Sequence, residues 1–531
     1  MFRKIRFYYL LTLTVLRKKK TLGFRLIFVI LLLVLVLRLT STNFWSPIGR
    51  RIISAATKTA YSEGLVGTVK SLNPIFETTE AEKELNRIVF RGLTRVDGSG
   101  ELQSDLAESY EILSSTEYLF KLRREVYWHD GKPFSADDVL YTVAAAQDPN
   151  LATSAKTIFK DIKVEKIDDL TIKFVLKEPF APFLEQTSIG IIPAHIPLNR
   201  YQPIGTGEFR VSYLSEKKVI LTNSRQDLVF KLYPNKETAI LALKQGEIKG
   251  LGGLTQEELK QFQDYPTFNL KVNKLPARII TIFFNTKAET VSEKLVRQAL
   301  VYATSKRELL NLVDPEAQLA SDSLSRPNLL KLTPEERFKF DLKKASSLLD
   351  ASGWENKDGV RTKNAQNLKI TLLTLAEEPF SSLAKKIGQD WSSLGIDFQI
   401  ISLPREELSN VIKHTQFQVV LTTAEVSFDP DQYVLWHSTQ INQGNITGLA
   451  SAKVDKLLED GRKTNALQVR KEKYEEFIRI LADEAPAIFL YYPSYNWLVS
   501  KRIQGIEIDQ FTSASDRFRG ASSWKIPKFV I

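Results

Sequence analysis

The sequence contains no cysteine. That absence excludes disulfide scaffolds, thiolate metal sites, cysteine nucleophiles and lipid attachment through an N-terminal cysteine. Histidine is scarce: His129, His195, His414 and His437 are the four, and no two stand at the i, i+4 spacing of a zinc helix. Neither the GxSxG nucleophile elbow nor a phosphate-cradling GxxxxGKS/T occurs. The glycine-rich strings at 205–207 and 250–253 lack the further glycine that opens the helix of a dinucleotide site, and both are read as turns. Acidic residues are missing from the start of the chain, the first being Glu63.

The charge that is present is unevenly placed. Of 73 basic residues, eleven lie within 1–51; taking those away leaves 62, matched by 62 acidic residues. A basic N-terminus on a neutral body is the footprint of a membrane-targeting segment, and it argues against a nucleic-acid partner. Residues 26–37 read LIFVILLLVLVL, twelve unbroken apolar positions. A span of 21–41, with Arg25 and Arg38 reaching to the two interfaces, makes a transmembrane anchor. Lys and Arg at 17–20 then place a basic segment, 1–20, in the cytoplasm and the body outside. A cleaved signal peptide is the competing reading, with Ser54-Ala55-Ala56 as a small-x-small site. That site lies far beyond the apolar run, which favours the uncleaved anchor followed by a linker over 42–59. A second apolar run at 5–16 is left open as an interfacial or additional segment.

Hydrophobic residues at 43% and charged residues at 25% of 531 are ordinary globular values, enough for two to four structural units. From about residue 60, strand-like runs alternate with amphipathic stretches, the pattern of an α/β protein. Strands are predicted at 170–176, 279–284, 368–373, 396–401, 417–421 and 488–492 from their β-branched and aromatic content. Thr255 with Glu258, Thr333 with Pro334 and Glu336, and Ser135 with Asp138 mark helix starts. Gly353 and Gly395 mark left-handed helix ends, and Pro486 stops a helix over 469–482. The paired acids at 137–138, 257–258, 335–336 and 377–378 mostly fall at such starts, where they favour the helix dipole without any catalytic role. Trp128, Trp354, Trp391, Trp436, Trp497 and Trp524 are read one by one as core. No nucleophile, base or metal constellation is visible, so the chain is read as no enzyme, with no cofactor and no metal site.

Further inference rests on a long string at 119–142, LFKLRREVYWHDGKPFSADDVLYT, preceded by LAESYEIL at 106–113. From the residues alone it is a half-buried strand, a turn at Asp130-Gly131, and a helix capped by Ser135, which makes Trp128 and His129 structural. The string resembles the signature of extracellular solute-binding protein family 5, the oligopeptide-, dipeptide- and nickel-binding components of ATP-binding-cassette importers. SLNP at 71–74, RGL at 91–93, GTGEFRV at 205–211, FFNTK at 283–287, VRQALVYATSKREL at 296–309, DPDQYV at 429–434 and EAPAIFLYYP at 484–493 agree in order.

The resemblance implies an α/β, two-lobed periplasmic-binding-protein type II fold with an extra subdomain in lobe one. Lobe one with that subdomain is expected at 60–277, lobe two at 278–487, and a return to lobe one at 488–531. The implied function is capture of oligopeptides and delivery to ABC transporter permease subunits by a monomer, and the anchor read from 21–41 places that body on the extracytoplasmic face of the cell membrane. Carried over through SLNP and DPDQYV, the implied ligand-binding residues are Thr78, Thr79 and Glu80 on lobe one and Thr422, Thr423, Ala424, Glu425 and Val426 on lobe two, with Ser154 from a third element. One departure stands out. Peptide-binding relatives often place an aspartate four residues before the proline of the DP element, to meet the peptide's α-ammonium; here Val426 occupies that position and Glu425 is adjacent. A local bulge that lets Glu425 serve, a ligand without a free amino terminus, or a non-peptide solute such as a nickel chelate, haem or oligosaccharide all remain open. A ligand-sensing adaptor on the same fold is the reading of a different class.

Overall fold

The computed structural model describes residues 58–98, 100–153, 155–156, 158–275, 277–321, 338–508 and 510–527. The anchor at 21–41, the run at 5–16, the small-x-small site, the helix start at Thr333, the acids at 335–336 and Ser154 lie outside them. No helix among the described residues is long and apolar enough to cross a membrane.

Two mixed sheets organise the unit formed by 60–530. In spatial order the first has seven strands: Phe268–Lys274, Ser494–Ser500, Gly250–Leu254, Thr59–Val66, Gln226–Tyr233, Lys218–Thr222 and Arg210–Ser215. The second has six: Gln318–Leu319, Ala487–Tyr492, Arg278–Phe284, Val419–Glu425, Lys369–Leu375 and Asp397–Leu403. Two of its inner strands are buried on both faces: every residue of Ala487–Tyr492 is buried, as is all of Arg278–Phe284 but Arg278. Helix Phe380–Ser392 shows how the covering works, with Phe380, Leu383, Ala384, Ile387 and Trp391 forming one buried stripe.

The two sheets have separate cores. One large cluster of buried apolar residues runs from Ile279 to Tyr492; another collects residues from Tyr61 to Leu275 and from Tyr495 to Ile526. A four-stranded antiparallel sheet, Ala107–Ile112, Glu117–Leu122, Thr171–Leu176 and Ile162–Asp168, shares the core of the seven-stranded sheet through Tyr118, Phe120 and Phe174. The chain leaves the first sheet after Lys274 and enters the second at Arg278. It returns at Pro493. Ala487–Tyr492 pairs antiparallel with Arg278–Phe284 and lies in the second sheet. The two crossings lie side by side, the Leu275 N–H donating to the Pro493 carbonyl at 3.1 Å.

The string at 250–253 is a strand, not a turn. Glycine is needed there for close approach: a Cβ at Gly250 would overlap the Tyr61 hydroxyl, and one at Gly252 the Tyr495 hydroxyl. Gly205 does lie in a loop, pressed against the Val89 carbonyl. Gly205→Ala should cost about 1–3 kcal/mol by overpacking. An unchanged urea midpoint would show that the loop yields instead.

Candidate ligand-binding cleft

A cleft of about 1880 Å³ is walled by both halves. Helix Glu80–Val89 and residues of the seven-stranded sheet supply one wall; the end of strand Val419–Glu425, the following loop and the start of helix Phe380–Ser392 supply the other.

Helix Glu80–Val89 is fixed in place by its own first turn. Thr79 is the N-cap, accepting the Glu82 N–H at 3.1 Å and donating its hydroxyl to the Thr68 carbonyl at 2.8 Å. The Glu82 carboxylate accepts the backbone N–H groups of Lys70 at 2.9 Å, Thr78 at 2.9 Å and Thr79 at 3.2 Å, and the Thr78 hydroxyl at 2.8 Å. Burial works to raise the pKa of Glu82, but these donors outweigh it and hold the carboxyl below its ordinary value. Thr78 and Thr79 thus spend their donors on the fold, and neither lines the cleft.

Glu80, the next residue, does line it. Its carboxylate pairs with Lys83 at 2.9 Å and with Arg278 from the second sheet. Burial opposes ionisation here too, yet Arg278 and Lys83 keep the pKa lowered. Strand register places Arg278 opposite Glu425.

Strand Val419–Glu425 divides its residues by the alternation of a pleated backbone. Thr423 and Glu425 face the cleft; Thr422 and the buried Ala424 do not line it. Val426 also borders the cleft while its N–H donates to the Ala277 carbonyl at 2.8 Å. Among the described residues the Glu425 carboxylate has neither a hydrogen bond nor an ion pair. Of the residues carried over from the resemblance, Glu80, Thr423, Glu425 and Val426 come together around one space.

Other lining residues carried no signal in the sequence. Glu185, in the short helix Phe183–Gln186, reaches from the first half to the second. It accepts the Ser427 hydroxyl at 2.8 Å, the Phe428 N–H at 3.0 Å and the Asp429 N–H at 2.6 Å. Burial raises its pKa, and the same three donors pull it back. Nearby, Ala181 N–H donates to the Arg462 carbonyl at 2.8 Å, and the Arg462 guanidinium lies 4.9 Å from the Phe180 ring and 4.0 Å from the Tyr433 ring. The acids of the DPDQYV string hold this loop together: Asp429 pairs with buried Arg470 at 2.5 Å and Asp431 with Arg462 at 2.8 Å.

Beneath the first wall, Arg517 is 1% exposed and Glu63 fully buried. The guanidinium donates to Glu63 at 2.9 Å and pairs with Glu84 at 2.8 Å. Lys236 points its ammonium at the carbonyls of Gly252 and Gly253, at 3.1 and 3.0 Å, and burial lowers its pKa.

None of the four histidines lines the cleft. His129 is bonded to Gly205 and Gly207, His195 to Asp130, and His437 to Thr439. The six tryptophans from Trp128 to Trp524 are buried away from it, Trp128 donating to Asp138 at 3.2 Å. Charged and polar groups from both halves converge on this one space.

A cleft of this kind between two α/β halves defines a binding protein. The sequence model of the bacterial extracellular solute-binding proteins, family 5 Middle, matches residues 101–445, and the chain belongs to that family. It is 25% identical over 477 residues to the oligopeptide-binding protein AppA of Bacillus subtilis (strain 168), covering 83% of this chain and 88% of that protein. To the nickel-binding periplasmic protein of Escherichia coli (strain K12) it is 26% identical over 393 residues, 68% of this chain and 74% of the other. The solved structure of NikZ from Campylobacter jejuni in complex with Ni(L-His) superposes with a TM-score of 0.77 at 26% identity, covering 88% of this chain and 99% of that one. The structure of AppA from Bacillus subtilis in complex with a nonapeptide gives 0.71 at 22%, covering 89% and 100%. The fold is thus the mixed α/β fold of periplasmic binding proteins.

Proposed function

We propose that the protein captures oligopeptides between two lobes of a type II binding-protein fold and delivers them to the permease of an ABC importer. The four-stranded sheet is the extra subdomain of lobe one. Residues 21–41 anchor the monomeric body to the outer face of the cell membrane. The observation that carries the reading is the size of the cleft. Its roughly 1880 Å³ is about twice the upper end of small-molecule sites, near 1000 Å³, and suits an extended chain better than a single chelate or amino acid. The names of the relatives support it, AppA being an oligopeptide-binding protein. The cleft carries no histidine side chain to complete a metal chelate. Ligand captured there favours closure through contacts it makes with both lobes at once.

Mass spectrometry of what co-purifies with residues 60–531, released by denaturation, tests the proposal. A ladder of short peptides is expected; one non-peptide species would replace it with the chelate, haem or oligosaccharide reading. Within the peptide reading, Glu425 is the group that meets the peptide's α-ammonium, since it faces the cleft with no hydrogen bond or ion pair among the described residues, Lys83 being a cation it acts on from a distance. Glu425→Gln should weaken free-amine peptides about ten-fold more than their N-acetylated counterparts by calorimetry, only the former presenting a cation. Equal losses would dispose of that role.

A further inference from the structure

At the seam between the halves, two hydrogen-bond acceptors are held in the wall of the cleft without a donor. Asp314 follows helix Lys306–Val313 and belongs to the second half. Its Oδ2 accepts the Ser494 N–H at 2.8 Å, while Oδ1 has no hydrogen-bond donor among the described residues. Asn496 stands two residues along the first-half strand Ser494–Ser500, on the same face as Ser494. Its Nδ2 donates to the Leu254 carbonyl at 2.7 Å, and its Oδ1 is again without a donor. The Ser494 hydroxyl is unpartnered too. Asp314 is 8% exposed and Asn496 2%, and both line the cleft.

Such acceptors are costly to leave unmet, and the large majority in folded proteins have a partner. Asp314 adds a charge. Among the described residues it has no ion pair with lysine or arginine, whereas Glu80, Asp105, Glu377 and Asp516 on the same cleft each have one. Burial raises its pKa against the Ser494 N–H, with the Ser494 hydroxyl and Gln256 near enough to temper its charge without meeting hydrogen-bond geometry at Oδ1.

We propose that Asp314 and Asn496, with the Ser494 hydroxyl, form a subsite for a basic side chain of the bound ligand, a lysine ammonium or arginine guanidinium. The inference rests on the peptide reading above. Either head group brings several N–H donors and a positive charge, the complement of two acceptors and an unpaired carboxylate. The two anchoring residues come from opposite halves on either side of Pro493. The cation enters with the halves apart, is enclosed when they meet, and ties recognition of the side chain to closure.

Two pools of pentapeptides, one carrying a single arginine at varied positions and the other norleucine in its place, distinguish the outcomes when titrated against the wild type and Asp314→Asn. The variant is isosteric and still accepts the Ser494 N–H; agreement of melting curves establishes that it folds. The expected result is a preference for arginine of about ten-fold in the wild type that falls to within about two-fold in Asp314→Asn. Equal binding of both pools by the wild type, or an arginine preference that survives the substitution, overturns the subsite and leaves peptide capture standing. If neither pool binds, peptide capture fails and agmatine alone decides the subsite. Thermal stabilisation of the wild type by agmatine that is lost in Asp314→Asn supports it, and no difference between the two overturns it.

Discussion

Arg517→Met should destabilise the protein by about 3–5 kcal/mol, the cost of removing one partner from a buried ion pair. The side chain is nearly the right volume, so the loss is electrostatic. Glu63, on strand Thr59–Val66, would be left with a carboxylate inside the core and only Tyr61 and Trp497 as donors. Arg517 also donates to the Ala514 carbonyl at 2.6 Å and lies 4.3 Å from the Phe518 ring, so the same substitution loosens the C-terminal segment from the first sheet. Burial already raises the pKa of Glu63 in the intact protein, and Arg517 is the strongest influence drawing it back. A carboxyl whose folded pKa lies above its unfolded one loses stability as pH rises through that interval. The deficit of Arg517→Met should therefore be smallest near the ordinary carboxyl pKa and grow above it. Urea unfolding across pH measures this, and adding Glu63→Gln should recover part of the loss. A pH-independent deficit would assign it to packing alone.

Glu185→Ala should lower ligand affinity about ten-fold or more without unfolding either half. The carboxylate is the shared acceptor for three donors of the opposite half, and hydrogen bonds to a charged group contribute about 1.5–3 kcal/mol each. In the capture proposed above, those bonds form as the halves meet. Removing them lowers the fraction of molecules in the closed arrangement, and apparent affinity falls with that fraction. Calorimetry would record the weaker binding and small-angle scattering a larger radius for the ligand-free variant. Glu185→Gln, which keeps one acceptor oxygen, should fall between. Wild-type affinity and radius in Glu185→Ala would mean that the contact forms without directing closure.

Much of the architecture was legible because long apolar strands announce themselves. The run at 279–284 is strand Arg278–Phe284, and that at 488–492 is Ala487–Tyr492. The run at 417–421 begins two residues before strand Val419–Glu425 and stops four short of its end, since the strand continues through Thr422 and Thr423, whose polarity hides it. Capping boxes at Ser135 and Thr255 were visible as local spacing. The same spacing recurs at Thr79 with Glu82, where it ties the hydroxyls of Thr78 and Thr79 to the fold. The string at 250–253 looked like a turn because its need for glycine comes from Tyr61 and Tyr495, distant in sequence. The site was less legible for the same cause. Glu80 and Glu425 came through motif position, but Arg278, Asp314 and Asn496 are brought to the cleft by strand register and by the joint at Pro493, and Glu185 by a four-residue helix that meets the loop after Glu425, none of which leaves a local pattern.

The alternation along Val419–Glu425 bears on how such a protein changes over generations. Val419, Val420, Leu421 and Ala424 are buried in the packing of the sheet, while Thr423 and Glu425 border the cleft. A single strand thus separates what the fold requires from what the cargo selects. Substitutions at the outward positions can redirect the diet of the cell without reopening the folding problem. Two solved structures at 22–26% identity keep TM-scores of 0.71–0.77 with this chain, one in complex with Ni(L-His) and the other with a nonapeptide.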